Sequence, residues 1–280
     1  MGLRKKFRRY CYEHYPSLVK IQTTNTDDGS LEIGTGFHLG DGYIATARHV
    51  AANNPEVWAH KFIGSSKRDA KKAFSSKDAS DRGDHLLSIK RKFFPGDSKI
   101  DVAVLETDFD PSFYLSDDLS SDVKKRGHFS LQLIYDEDFY ESDILLRSVL
   151  IMGYPPIPQT YKPHTVAVAA DINAVVSKYT APYVHLILSS TARGGFSGAP
   201  VVDWDGRVIA ICTESLNKNN QAVETGFTAA IQVQALNDLL VENKICPISN
   251  AETLTEAAWR YEPYKEWKAK FYGTDTEAMP

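Results

Sequence analysis

Short apolar runs separated by turn residues occupy the first part of the chain. Three of them lie at residues 18–21, 34–39 and 42–46, with clusters of Asp and Gly between them. Apolar runs of this length between such clusters are typical of β-strands joined by turns. Strand signals return at residues 85–90 and 101–106. We therefore expect this part of the chain to be built from β-strands.

A second series of strand-like runs begins at residue 148. Its members lie at residues 148–153, 165–170, 175–176, 184–188, 199–202 and 208–213. The hydrophobic period then changes over residues 231–243, where Ile231, Ala235 and Leu239 fall on one face of a helix. The pattern predicts that a helix closes this region.

Two polar segments and an aromatic tail interrupt or follow these runs. Residues 60–85 are rich in Lys, Ser and Asp, which predicts a long surface insertion. Residues 106–143 are acidic and predict a solvated connector, with a docking surface for a basic partner as the alternative. Residues 250–280 interleave Trp, Tyr and Phe with Glu and Lys. We expect a helix packed back on the protein there, and an exposed aromatic partner site is the alternative.

Composition excludes several classes of protein. A chain of 280 residues suggests two domains or one unit of two β-barrels, and it can bury a core without disulfides. Its 42% hydrophobic and 24% charged residues are ordinary for a globular protein. The net charge of −4 provides no basic field to recruit nucleic acid. No apolar run approaches the roughly 18 residues that span a membrane, so we expect no integral membrane contact.

The N-terminal residues 1–17 form a basic segment. No apolar stretch of about 7–15 residues follows it, so it does not resemble a secretory signal. Gly2 suggests myristoylation, but Lys6 stands where that motif has Ser or Thr. We expect a solvated basic helix that docks on the protein. Weak attachment to an anionic surface or an acidic partner is the alternative.

Neither the cysteines nor the acidic turn at residues 203–206 indicates a metal site. The three cysteines, Cys11, Cys212 and Cys246, have no metal-ligand spacing and cannot all pair, which fits a reducing cytoplasm. Residues 203–206 faintly resemble a calcium loop but lack the remaining ligands, so we interpret them as a hairpin turn. We expect no metal and no cofactor.

Three segments carry chemistry when they are taken together. Residues 46–50 read Thr-Ala-Arg-His-Val and contain His49, after a Gly-Thr-Gly-Phe stretch. Asp101 precedes a run of small and aliphatic residues. Residues 195–200 read Gly-Phe-Ser-Gly-Ala-Pro and contain Ser197. Singly, these are an ordinary histidine, a turn aspartate and a flexible glycine loop.

In this order the segments resemble the trypsin-like (chymotrypsin-fold) serine peptidases. That family has a Thr-Ala-x-His-Val block, then an Asp before a strand, then Gly-x-Ser-Gly-x-Pro. The resemblance spans about residues 18–243. It is closest to compact bacterial trypsin-like peptidases, whose second barrel opens with a segment like the Ile-Met-Gly-Tyr-Pro of residues 151–155.

The resemblance implies an all-β fold of two six-stranded antiparallel β-barrels, with a C-terminal helix and a short helical tail. The implied peptidase domain covers residues 18–245. Its parts are barrel one at about 18–115, barrel two at about 145–230 and the closing helix at about 231–243. Residues 246–280 form a C-terminal extension.

The resemblance also implies a catalytic triad. His49 would accept the proton of the Ser197 hydroxyl, and Asp101 would hold the imidazole in the correct tautomer. The backbone N–H groups of Gly195 and Ser197 would form the oxyanion hole. Glycine suits this loop because the backbone must turn sharply to present its amides.

Substrate-binding residues follow from the same resemblance. Backbone groups of Thr213 and Ser215 would pair with the substrate. Gly226 would lie in the far wall of the specificity pocket, and Thr191 would stand where trypsin has an aspartate. We therefore expect no strong preference for Arg or Lys. Two residues, Glu214 and Glu224, could supply an acid from another wall.

The leading hypothesis is an active cytoplasmic serine endopeptidase that cleaves a protein or peptide substrate. A proteolytically silent, peptide-binding module is the first alternative. A subunit held inactive until a regulatory partner or ligand opens it is the second. Regulated cleavage in a bacterial stress or antiviral response is an analogy to the family only.

Overall fold

The computed structural model describes residues 2–24, 29–60, 84–110, 129–131, 144–160, 164–177, 182–190, 194–217 and 224–254. Most of the predicted insertion at 60–85 lies outside the described residues. The same holds for most of the acidic segment 106–143 and for the tail beyond residue 254.

The first barrel is a curled seven-stranded antiparallel sheet. Its strands are β1 Leu18–Thr24, β2 Leu31–Gly40, β3 Tyr43–Thr46, β4 Glu56–His60, β5 Asp84–Leu87, β6 Ile89–Phe93 and β7 Ala103–Thr107, in the order β5-β4-β1-β2-β3-β7-β6. The edge strands β5 and β6 are separated by Ser88 alone. The Ser88 N–H donates to the Asp108 carboxylate (2.8 Å). One strand of the barrel is therefore divided at Ser88 into two pieces, of which β5 pairs with β4 and β6 pairs with β7.

The second barrel is closed. Its strands are β8 Ser130–Leu131, β9 Ser148–Gly153, β10 Val166–Ser177, β11 Val184–Leu188, β12 Pro200–Val202, β13 Arg207–Asn217 and β14 Glu224–Gln232. The order is β12-β9-β10-β11-β14-β13, and an additional β12–β13 pairing closes the ring. The short strand β8 adds to β13 in parallel. Two barrels of the chymotrypsin-like type confirm the predicted fold class.

Strands that lie between the barrels bury both of their faces. Val19 of β1 packs in a cluster made by first-barrel residues, whereas its neighbour Leu18 packs in a larger cluster shared by both barrels. On β9, Ile151 packs in a cluster of second-barrel residues, whereas its neighbour Leu150 packs in the shared cluster. A strand buried on both faces reads as a continuous apolar run. The shared cluster fixes the barrels against each other, and the candidate site lies where they meet.

The basic N-terminal segment forms helix α1 (Leu3–His14), which docks on the second barrel. Phe7 is buried, and the Tyr10 hydroxyl donates to the Trp204 carbonyl (3.0 Å) in the turn between β12 and β13. The His14 ring stacks on Phe129 with centroids 4.4 Å apart. The exposed cationic side chains of α1 include Arg4, Lys5 and Arg8.

The closing helix begins slightly later than the periodicity suggests. A short helix α2 (Arg48–Ala52) follows β3, and the closing helix α3 covers Gln234–Glu242. Ile231 lies in β14, where it pairs with His185 and Ile211. Its hydrophobic position therefore comes from the strand and not from the helix. No helix among the described residues is both long and apolar enough to cross a membrane.

Candidate active site

His49 is held by contacts on both sides of its short helix. It is the second residue of α2, which begins two residues after the end of β3. The neighbouring Arg48 guanidinium donates to the Pro95 carbonyl (2.8 Å) in the segment that leads to Asp101. At the other end of α2 the Lys92 ammonium donates to the Asn53 carbonyl (2.5 Å). These contacts fix the helix that presents the imidazole.

Asp101 orients the imidazole of His49. It stands just before β7, and its carboxylate oxygens lie 2.8 and 3.0 Å from His49 Nδ1. The His49 backbone N–H also donates to the same carboxylate (3.0 Å). A carboxylate accepts only, so Nδ1 carries the proton and Nε2 is left as the basic nitrogen. The His49 side chain is 48% exposed and the Asp101 side chain 27% exposed, so solvent or a ligand reaches the pair.

Ser197 occupies a tight turn that only glycine permits. The Ala199 N–H donates to the Phe196 carbonyl (2.8 Å), and Gly198 (+84°) is the one residue of this four-residue turn with a positive φ, which defines a type II turn. A Cβ on Gly198 would lie 2.2 Å from the Thr35 carbonyl oxygen. The Ser197 hydroxyl donates to the Thr213 carbonyl (3.3 Å). The turn thus presents the serine at the junction of the barrels.

Two backbone N–H groups of the serine loop are open. Within the described residues, neither the Gly195 N–H nor the Ser197 N–H donates a hydrogen bond. Gly195 has φ +101°, and a Cβ there would meet the Tyr154 carbonyl oxygen at 2.5 Å. Glycine is therefore required at this position. Unoccupied donors beside a serine hydroxyl can bind a developing negative charge without reorganising.

The predicted substrate-binding residues lie on adjoining strands. Thr213 falls at a bulge of β13, and its hydroxyl donates to the Ala229 carbonyl of β14 (3.2 Å). Ser215 pairs with Thr228 across the same two strands. Gly226 has φ +83°, and no atom among the described residues comes within 4 Å of a Cβ placed on it.

Thr191 lies outside the described residues, as do the side chains of Glu214 and Glu224.

Cys212 has a structural part in the serine loop. Its carbonyl accepts from the Gly198 N–H (2.7 Å), and its own N–H donates to the Ala199 carbonyl (2.9 Å). Complete burial raises the pKa of the Cys212 thiol to about 12, so the thiol stays protonated and unreactive. Within the described part of the chain, no three His, Cys, Asp or Glu side chains are arranged to hold a metal ion.

Residues 34–211 match the sequence model of the trypsin-like peptidase domain. The chain belongs to this family. It is therefore a trypsin-like serine peptidase, a hydrolase, as the three motifs indicate.

Solved structures with the same fold include two proteases. The Rv3671c protease from M. tuberculosis in its active form has a TM-score of 0.52 and 17% identity, with 82% of each chain covered. The HtrA-type protease AlgW with a tripeptide has a TM-score of 0.55 and 17% identity. That match covers 85% of this chain but only 63% of AlgW, less than two thirds. No curated protein sequence matches the chain significantly.

Thr35 has no role among the residues predicted from the sequence, but the structure places it at the centre of the site. Its hydroxyl donates to the Gly195 carbonyl (2.6 Å), and its backbone N–H donates to the Ser197 carbonyl (2.8 Å). The available signal is weak: a threonine with a glycine on each side in an otherwise apolar strand. Only the tertiary fold brings β2 against the serine loop.

Proposed function

We propose that the protein hydrolyses peptide bonds of a protein substrate through a triad of His49, Asp101 and Ser197. The observation that carries the proposal is the hydrogen bond from His49 Nδ1 to Asp101 (2.8 Å), which leaves Nε2 basic. Ser197 on its glycine turn and the two open amides beside it support the same chemistry. A serine hydroxyl is a poor nucleophile at neutral pH and requires such an adjacent base.

The reaction proceeds through an acyl-enzyme. Ser197 Oγ turns from the Thr213 carbonyl towards His49, loses its proton to Nε2 and attacks the scissile carbonyl carbon. The new oxyanion accepts hydrogen bonds from the Gly195 and Ser197 N–H groups, each worth about 3–4 kcal/mol of transition-state stabilisation. His49 then protonates the leaving amine. A water molecule, deprotonated by His49, hydrolyses the ester and restores Ser197.

The substrate binds as an added strand. Backbone groups of Thr213 and Ser215 on β13 are the proposed partners of the substrate backbone, which gives affinity with little dependence on sequence. Turning Ser197 away frees the Thr213 carbonyl to accept a substrate N–H. Regulation by a partner or signal and a cytoplasmic location remain predictions from the sequence.

A fluorophosphonate probe tests the proposal. We expect the purified protein to be labelled and Ser197→Ala to remain unlabelled. Labelling only after a cell extract is added would favour a subunit that a partner activates. Absence of labelling under both conditions, together with retained peptide binding, would favour the proteolytically silent module.

Activity should rise with pH through the histidine range. Only the neutral imidazole accepts the Ser197 proton, so the rate should increase as pH passes about 6–7. The second-order rate of phosphonate inactivation is the suitable measurement, because it is independent of product release. A rate that stays constant from about pH 5 to 9 would contradict the assignment of His49 as base.

Cleavage should show no strong preference for Arg or Lys before the scissile bond. Thr191 supplies a neutral hydroxyl at the family position of the pocket acid, and Gly226 leaves its side of the wall open. Burying a cationic head group without a carboxylate partner costs several kcal/mol.

A peptide library decides the point about specificity. Cleavage confined to positions after Arg or Lys would overturn the prediction and point to Glu214 or Glu224. Loss of that preference in Glu214→Gln or Glu224→Gln would then identify the residue, and the unaffected variant would serve as the matched control.

A further inference from the structure

Thr35 joins three separate parts of the site. It lies on β2, has no solvent exposure and precedes the residues of β2 that pair with β3, which begin at Phe37. Its backbone N–H is therefore available to bond outside the sheet, and it donates to the Ser197 carbonyl (2.8 Å). Its own carbonyl accepts from the Thr46 hydroxyl (2.7 Å), three residues before His49. One residue thus connects the serine turn to the end of β3, the strand that precedes the helix carrying the histidine.

The direction of the Thr35 hydroxyl is fixed by its two partners. The Tyr154 N–H can only donate, and it donates to Thr35 Oγ1 (3.0 Å). The Gly195 carbonyl can only accept, so the Thr35 proton points to it (2.6 Å). A buried hydroxyl with one donor and one acceptor partner has a single arrangement. Thr35 therefore holds the Gly195 carbonyl in one orientation.

Neighbouring glycines leave room for this arrangement. A Cβ on Gly153 would lie 2.7 Å from Thr35 Oγ1, and a Cβ on Gly198 would lie 2.2 Å from the Thr35 carbonyl oxygen. The three residues therefore form one close-packed unit. Any side chain on either glycine would displace the threonine from the serine loop.

We propose that Thr35 is a positioning residue that orients the oxyanion loop through its hydrogen bond to the Gly195 carbonyl. The proposal rests on the triad function proposed above. Gly195 has φ +101° and, as a glycine, rotates at little cost, so it requires an external contact to hold its peptide groups. When the Gly195 carbonyl is held in one orientation, the N–H groups of Gly195 and Ser197 can both donate to the same oxyanion.

Thr35→Val tests the proposal, because valine keeps the branched shape and removes the hydroxyl. We expect kcat and the rate of phosphonate inactivation to fall about 10–100-fold, with KM unchanged within about twofold. Thr35→Ser, which keeps the hydroxyl, should restore most of the rate. Thr35→Ala is the second variant in case valine disturbs packing.

Thr107→Val is the matched control. Thr107 is also buried, and its hydroxyl donates to the Gly42 carbonyl (2.8 Å) and accepts from the Phe109 N–H (3.2 Å). The change therefore removes the same pair of hydrogen bonds away from the site. We expect a similar loss of stability with kcat unchanged within about twofold.

Several outcomes would overturn the proposal. Thr35→Val and Thr35→Ala with unchanged kcat would do so, and so would an equal loss of kcat in Thr107→Val. If the unmodified protein reacts with no phosphonate, the triad proposal fails instead. The carbonyl ¹³C shift of Gly195 then decides the role of Thr35. A change in Thr35→Val but not in Thr35→Ser supports the positioning role, and no change in either variant rejects it.

Discussion

Ser197→Ala should lower kcat about 10⁶-fold while the protein remains folded. The Ser197 hydroxyl is the nucleophile that forms the acyl-enzyme in the proposed mechanism, so its removal eliminates that intermediate. The turn itself is held by backbone groups, including the Gly198 N–H on the Cys212 carbonyl (2.7 Å). Among the described residues, the serine side chain makes a long hydrogen bond to the Thr213 carbonyl (3.3 Å). We therefore expect the unfolding free energy to change by no more than about 1 kcal/mol.

The control for this substitution is Ser148→Ala, which removes a hydroxyl bonded to Asp171 (2.6 Å) on the second barrel. It should leave kcat unchanged within about twofold. His49→Ala should be as inactive as Ser197→Ala, and the double variant should lose little more, because the triad acts as a unit. Substantial turnover in either single variant would exclude the proposed mechanism.

The fold could be predicted because its strands carry two independent signals. The continuous apolar run of β9 reflects burial on both faces, because Leu150 packs in the cluster shared by the barrels and Ile151 in the cluster of the second barrel. The glycines around Ser197 reflect backbone angles and close contacts that no side chain tolerates. Both signals are local, so they can be read from sequence without knowing how the barrels pack.

Features that depend on distant contacts could not be predicted. At the break between β5 and β6, the Ser88 N–H donates to the Asp108 carboxylate, 20 residues away in sequence. Thr35 meets Gly195 across 160 residues, and Lys92 meets the end of α2 across 39. Such contacts depend on how the strands and loops come together and have no local pattern. The lining of the specificity pocket likewise depends on contacts between residues that are distant in sequence.

Asp101→Asn should lower kcat about 10⁴-fold, a smaller loss than removal of the nucleophile. The Asp101 carboxylate accepts from both the backbone N–H and Nδ1–H of His49 (3.0 and 2.8 Å). An asparagine keeps one acceptor oxygen, which the backbone N–H can retain. Its NH₂ group then faces Nδ1 and favours the tautomer with the proton on Nε2. That nitrogen can no longer accept the Ser197 proton.

Asp97→Asn is the control for loss of charge alone, because Asp97 lies in the same segment and binds the Lys99 N–H through a carboxylate oxygen (2.9 Å). The asparagine oxygen can retain that bond, so kcat should stay within about twofold of the original. If both variants lost activity equally, the loss in Asp101→Asn would be explained by removal of a negative charge near the site. Loss confined to Asp101→Asn, with phosphonate labelling slowed by the same factor, assigns the effect to the tautomer and orientation of His49.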